Sequence, residues 1–302
     1  MTALAAALDR NPLDLFAGER ARLRALAYRL LGSVAEAEDV LQDAWLRWNA
    51  VDAAAVGSAA GFLTAIVTRL ALDRLRSART VRERYYGLWL PEPAVTAWEE
   101  EDDADSVPMA MLLLLERLAP DQRAVFVLRE AMDLDYAEIA AILDKSADAC
   151  RQIMRRARTR LAEPSAAPRD PAVGRRLADA FAAASLRRDY AGIVALLSDD
   201  AEWLSDGGGK VRTAVNPLHG ADRIARFIVG LQRKRDRSFA FVPVRVNGGA
   251  GLLMSFGTAF HSVLALEIVG DRIRRLYQVA NPDKLTHVNR RGPLDIPVID
   301  IP

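Results

Sequence analysis

The sequence predicts a multidomain chain in which two all-α domains precede an α+β domain, and three observations carry that expectation. Apolar residues recur at helical spacing through the first half. An aromatic, proline-punctuated and then acidic stretch, residues 85–107, interrupts that half without a single Lys or Arg. Beyond the prolines of residues 163–171, helices give way to β-like runs. A length of 302 residues agrees, being more than one core usually organises.

Taken in order, Leu23, Leu26, Ala27, Leu30 and Leu31 form the first apolar stripe, and Val40, Leu41, Ala44, Trp45 and Trp48 the second. Leu63, Ile66, Val67 and Leu70 form the third, after a loop at Asn49 to Gly61 rich in Ala, Gly and Ser. The third helix runs into Arg69, Arg74, Arg76, Arg79, Arg82 and Arg84 against Asp73 and Glu83, a local balance of 6 − 2 = +4. Helices resume at Pro108. Asp135 with Glu138 reads as a capping box opening a short helix through Leu143. Asp144-Lys145-Ser146 makes a turn, and Ser146 caps a second helix to about Leu161, which is a helix-turn-helix pattern. The last region has helices at Val173 to Leu186, Tyr190 to Leu197 and Ala221 to Arg233. Strands at Phe239 to Val246, Leu252 to Phe256, Ala259 to Val269 and Arg272 to Val279 follow, read as an antiparallel sheet. The tail with Pro293, Pro297 and Pro302 is expected to be loose or an extended strand.

Composition excludes several classes. Hydrophobic residues at 51% and charged residues at 27% exclude a disordered or fibrous chain. The balance of 41 basic against 40 acidic residues hides the segregation just described. Cys150 is the single cysteine and cannot form an intramolecular disulfide. Three scattered histidines without C-x-x-C exclude the common zinc patterns, so no metal or cofactor is expected. No apolar run reaches the roughly 18 residues of a membrane span, and a reducing, cytoplasmic setting is expected.

Chemistry concentrates in the second helix of the turn motif. Lys145, Arg151, Arg155, Arg156, Arg158 and Arg160 stand against Asp148, a balance of 6 − 1 = +5. Helical spacing puts Cys150, Ile153, Ala157 and Leu161 inward. Ala147, Asp148, Arg151, Gln152 and Arg155 then face out, as a helix seated in a major groove requires. Arg and Gln suit base edges, and Arg156 and Arg158 suit phosphates. Glu36, Glu38, Asp39, Gln42 and Asp43 form a polar face opposite Trp45 and Trp48, suited to a basic helix pair.

These residues carry a resemblance. Ala37 to Arg47 resembles region 2.2 of extracytoplasmic-function sigma factors, and Leu70 to Arg76 their region 2.4, with Arg69 where many members have Asn. Leu118 to Glu130 and Tyr136 to Leu161 are similar to region 4. Gly87-Leu88-Trp89-Leu90-Pro91-Glu92-Pro93, Asp206-Gly207-Gly208-Gly209-Lys210 and Asn281-Pro282-Asp283-Lys284-Leu285 are similar to signatures of the subgroup with a SnoaL-like, NTF2-like cone after region 4. The resemblance implies region 2 at 13–84, a linker at 85–107, region 4 at 108–162, a SnoaL-like regulatory domain at 171–285 and a tail at 286–302. It implies a non-enzymatic subunit of core RNA polymerase. Glu38, Asp39, Gln42 and Asp43 would meet the clamp helices, and region 4 the flap. Arg69, Arg74, Arg76 and Arg79 would hold the DNA backbone at the −10 element. Ser146, Asp148, Arg151, Gln152, Arg155, Arg156 and Arg158 would hold the −35 element. The three signatures would form a regulatory contact in place of a separate anti-sigma protein, in a monomer.

Two other readings remain open on sequence: a stand-alone helix-turn-helix repressor, and a DNA-tethered cyclase or isomerase. The latter needs Asp206, His219 or His261 assembled in a cavity walled by Trp203.

Overall fold

In the computed structural model, residues 11–52, 55–82, 85–98, 106–161, 170–233, 239–256 and 259–290 are described, and the chain divides into two compact units. One joins residues 1–83 to 112–163; the other joins 84–111 to 164–302.

The first unit opens with α1 (Pro12–Leu31), α2 (Val34–Asn49) and α3 (Ala59–Arg82). Asn11 caps α1 with Pro12 at its first position, and Gly32 ends it at φ 67°. Ser33 then caps α2 through the Glu36 amide. Leu23, Leu26, Val40, Leu41, Leu63 and Val67 are buried between the three helices. Trp48 is fully buried and donates its indole N–H to the Pro12 carbonyl at 2.8 Å. Trp45 packs half-buried on Phe16, ring centroids 5.2 Å apart. Both tryptophans therefore serve packing, as their stripe predicts.

The unit continues with α4 (Met109–Glu116), α5 (Pro120–Glu130), α6 (Tyr136–Leu143) and α7 (Ala147–Arg160). The capping box of α6 is complete: Asp135 accepts from the Ala137 and Glu138 amides, and Glu138 accepts from the Asp135 amide, each at 2.8 Å. Asp144 makes the turn in the left-handed region at φ 54°, and Ser146 caps α7. Cys150, Met154 and Ala157 face inward, whereas Ile153 and Leu161 are only half-buried. A 14-residue helix set on a narrow seam buries an i, i+4, i+7 line, and that line starts at Cys150.

The second unit holds α8 (Pro171–Leu186), α9 (Tyr190–Leu196) and α10 (Ala221–Arg233) against one sheet. Its strands are β1 (Val95–Thr96), β2 (Leu197–Asp206), β3 (Leu218–His219), β4 (Phe239–Val246), β5 (Gly249–Phe256), β6 (Ala259–Val269) and β7 (Arg272–Val279), in the order β1-β4-β5-β6-β7-β2-β3. The unit is α+β, but its sheet is mixed rather than antiparallel, because β2 runs parallel to β7. The run Ser198-Asp199-Asp200 and a register shift before Glu202 hide β2 from an alternation reading. Asn247-Gly248, both at positive φ, close the two-residue β4–β5 hairpin. Phe181, Trp203, Phe241, Leu252, Leu264 and Leu276 form the core between sheet and helices. After β7 come a 3-10 turn at Pro282–Leu285 and α11 (Thr286–Arg290), which leads into the proline-punctuated tail. Residues 291–302 lie outside the described residues.

Candidate functional site

The exposed face of α7 consists of Asp148, Arg151, Gln152, Arg155, Arg156, Arg158, Thr159 and Arg160. Arg151 pairs with Asp148 and lies 5.8 Å over the Tyr136 ring, which also carries Arg129 at 5.5 Å. Arg158 pairs with Glu130 at 2.6 Å. Exposed pairs of this kind are worth about 0–1 kcal/mol, so they steer these arginines without withholding them from a stronger acceptor. Ser146 spends its hydroxyl on the Ala149 amide and keeps a capping role. Burial raises the Cys150 thiol pKa, which keeps it an unreactive core residue.

On α2, Asp39, Gln42 and Asp43 share one face, with Glu38 half-buried beside them. Leu46 extends that face and is 62% exposed. Sequence reading missed Leu46, yet its spacing of seven from Asp39 was the signal. Arg74 buttresses the acids, reaching Asp43 at 2.7 Å, Asp39 at 3.6 Å and the Glu36 carbonyl at 3.1 Å. Arg20 binds Glu38 at 2.6 Å. Arg69 and Arg76 point to helices of the same unit: Arg69 to the α6 carbonyls of Ile142 (2.9 Å) and Ala141 (3.2 Å), and Arg76 to Asp121 (3.0 Å). The side chain of Arg79 lies outside the described residues.

The three signature motifs meet within the second unit. Asp206, fully buried at the end of β2, accepts from Tyr85 Oη (2.6 Å), the Leu90 amide (2.9 Å), the Gly208 amide (3.0 Å) and Lys284 Nζ (2.7 Å). Lys284 also donates to the Leu90 carbonyl and lies 4.0 Å over the Trp89 ring. Gly208 sits at φ 60°, where a Cβ would stand 2.3 Å from Asn281 Nδ2, so both the turn and the approach of Asn281 demand glycine. Asn281 donates to Tyr85 Oη at 2.8 Å, and Lys210 pairs with Asp283. Pro91, Glu92 and Pro93 are buried, and Leu285 is buried beyond them. Gly207 and Gly209 line the turn, the latter against Tyr86, and Pro282 opens the 3-10 turn. Sequence reading missed Tyr85 and His287. Burial, and then the Asp206 carboxylate, push the Tyr85 phenol well above its ordinary value, so it stays a donor. His287 sets Nε2 2.7 Å from the Pro93 carbonyl and Nδ1 2.9 Å from Glu92. Val95–Thr96 then pair with β4, so the described part of the acidic stretch, 85–98, is built into this unit. Six of its seven acids, Glu99 to Asp105, lie outside the described residues.

The hollow between sheet and helices is walled by Phe181, Trp203, Phe227, Ile228, Leu231, Phe241 and Met254, with about 10 Å³ free. That is room for one water at most. Asp206 is committed to the clasp, and His219 and His261 are exposed on strands, so among the described residues none of these three is brought to this hollow as a proton-transfer group.

Comparison with known proteins decides the family. Residues 15–81 match the model of Sigma-70 region 2, and residues 109–161 that of Sigma-70, region 4. The chain is 38% identical to the ECF RNA polymerase sigma factor SigJ of Mycobacterium tuberculosis, over 90% of this chain and 92% of that protein. The chain belongs to the extracytoplasmic-function sigma factors. It is also 31% identical to the probable ECF RNA polymerase sigma factor SigI of the same species, over 88% of this chain and 92% of that protein. The crystal structure of M. tuberculosis SigJ superposes with a TM-score of 0.72 and 33% identity, covering 93% of this chain and 99% of that one. As a sigma factor the chain is not an enzyme, and it acts in promoter recognition with RNA polymerase and promoter DNA as partners. Its C-terminal unit is α+β, with helices packed against one mixed sheet. Among the described residues no helix is long and apolar enough to cross a membrane.

Proposed function

We propose that the sigma factor divides promoter recognition between its helices and is regulated in cis by its C-terminal unit. The α2 face of Glu38, Asp39, Gln42 and Asp43 with Leu46 docks on the clamp helices of core polymerase, an apolar centre inside a charged rim. The arginines of α3 track the backbone at the −10 element, and region 4 meets the flap. Arg151, Gln152 and Arg155 read the −35 element, while Arg156 and Arg158 neutralise its phosphates. The observation that carries this reading is the exposed cationic face of α7 over the inert seam of Cys150, Met154 and Ala157. The clasp of Asp206 and Lys284 on Leu90 supports regulation in cis by a cytoplasmic monomer that needs no separate anti-sigma protein.

Run-off transcription with core polymerase tests it. The full chain should direct initiation at a matched promoter, and Arg151→Ala with Gln152→Ala should abolish selectivity at −35 while leaving co-elution with core intact. Duplex binding unaided by core, with no transcript, would instead establish the stand-alone repressor.

A further inference from the structure

His287 lies on α11 and sets its ring between two oxygen atoms of the linker. Nε2 stands 2.7 Å from the Pro93 carbonyl, and Nδ1 2.9 Å from Glu92 Oε1. A carbonyl oxygen only accepts, so Nε2 carries a hydrogen. The neutral ring then has a bare Nδ1, and a bare nitrogen against an ionised carboxylate is a meeting of two acceptors. The 2.9 Å contact therefore needs one further proton, either as imidazolium against carboxylate or as neutral imidazole against carboxylic acid. Glu92 is 3% exposed, so its carboxylate cannot turn to bulk water instead. The other charged groups on the elements packed against α11 are engaged elsewhere or face solvent. In the adjoining 3-10 turn, Asp283 pairs with Lys210 and Lys284 with Asp206. On β6, Glu267 meets Arg275 and Tyr277, and His261 is exposed.

We infer that His287 and Glu92 form a one-proton latch, which seats residues 90–93 of the linker on α11 and loosens as pH rises. Once separated and exposed to water, a carboxylate and an imidazole hold no proton between them at about pH 8. Closing the latch at that pH takes one proton from solution. At about pH 6 a free imidazole is largely charged already, so closing takes up little. The proton belongs to the closed form, and by linkage that form loses about tenfold in stability for each pH unit above the range in which a free imidazole titrates. Rising pH thus opens the seat of the linker, and falling pH toward 6 closes it. For its consequence in transcription the inference rests on regulation in cis as proposed above, to which the latch adds proton concentration as an input. The seating itself rests only on the geometry of His287, Glu92 and Pro93.

Two measurements on the full chain test this. The sequence has three histidines, so imidazole 15N spectra resolve His287, whose Nδ1 should share a proton at pH 6 and be bare at pH 8.5. Amide exchange over residues 85–96, corrected for the chemical rate, should quicken at least tenfold between the same pH values relative to the α1–α3 amides. Glu92→Gln sets an N–H donor against the bare Nδ1. It should abolish the pH step and keep the pH 6 protection at pH 8.5. His287→Phe should exchange fast at both. Wild-type protection that is equal at pH 6 and 8.5, or a step that persists in Glu92→Gln, would overturn the latch. Should Glu92→Gln exchange fast at both pH values, the wild-type spectrum decides: an Nδ1 proton lost in step with protection supports the latch, and one lost without it overturns the latch. A step that Glu92→Gln removes, with identical run-off output from both chains at both pH values, would keep the latch and overturn regulation in cis.

Discussion

Lys284 is the residue on which the proposed regulatory contact turns. Asp206 has no exposure, and its partners Tyr85, Leu90 and Gly208 are all neutral donors. Removing the Lys284 cation, its ion-pair partner among the described residues, strips a buried carboxylate of that charge compensation, which costs about 3–5 kcal/mol in such settings. Lys284→Met should accordingly loosen residues 85–96, read as accelerated amide exchange there, with the α1–α3 amides unchanged. Gly208→Ala should act in the same direction by about 1–3 kcal/mol, because φ 60° and the close Asn281 both reject a methyl group. Both effects belong to motifs that the family resemblance already implied to be one contact; the fold adds which atoms meet, with Asp206 as the buried acceptor for Tyr85, Leu90 and Lys284. Across the turn, Tyr136 of α6 positions Arg151 of α7 through its ring face. Tyr136→Phe should preserve −35 base preference, and Tyr136→Leu should weaken it about 2–5-fold, the size of a cation–π contact worth ~0.5–1 kcal/mol, in competition binding.

At the level of elements, the division proposed for α7 separates reading from holding. Arg151→Ala is expected to cost about 1–3 kcal/mol at one base position. Arg156→Ala should weaken all sequences alike and reduce the salt slope of binding by about 0.9. A titration of affinity against salt distinguishes the two. The α3–α5 contact has its own pH signature. Burial opposes ionisation of Asp121, but Lys145 and Arg76 outweigh it and hold the carboxyl below the ordinary value of 3.8. A depressed carboxyl contributes its full stabilisation above that value and loses it as pH falls through the lower folded value. Interregion distance should therefore be constant from pH 8 to 5 and open only in acid below about pH 4, a transition that Asp121→Asn should remove. The helix starts of the turn motif were the most legible feature, because Asp135 and Ser146 are local signals read within one turn of the chain. β2 was illegible since its pairing to β7 spans more than 70 residues and its first half carries Ser198, Asp199 and Asp200.

Across the whole molecule, removing residues 281–302 deletes Lys284, Asn281 and His287 together, and with them the cation, the Tyr85 anchor and the partner of Glu92. Promoter output in a reconstituted assay should change while residues 13–162 keep their helical content by circular dichroism. Equal output from full and truncated chains would leave the clasp of the three motifs without a regulatory role. The amino-acid sequence by itself determined the helices, the helix-turn-helix, the basic face of α7 and the family, since caps, periodicity and charge are properties of neighbours in the chain. Tertiary structure alone decided that Asp206 is a buried acceptor, that the hollow between sheet and helices of the second unit is small, and that Arg69 and Arg76 bind helices of region 4. Those outcomes depend on groups brought together over 45 to 121 residues, and local pattern holds no record of which distant carbonyl or carboxylate a guanidinium, ammonium or phenol will meet.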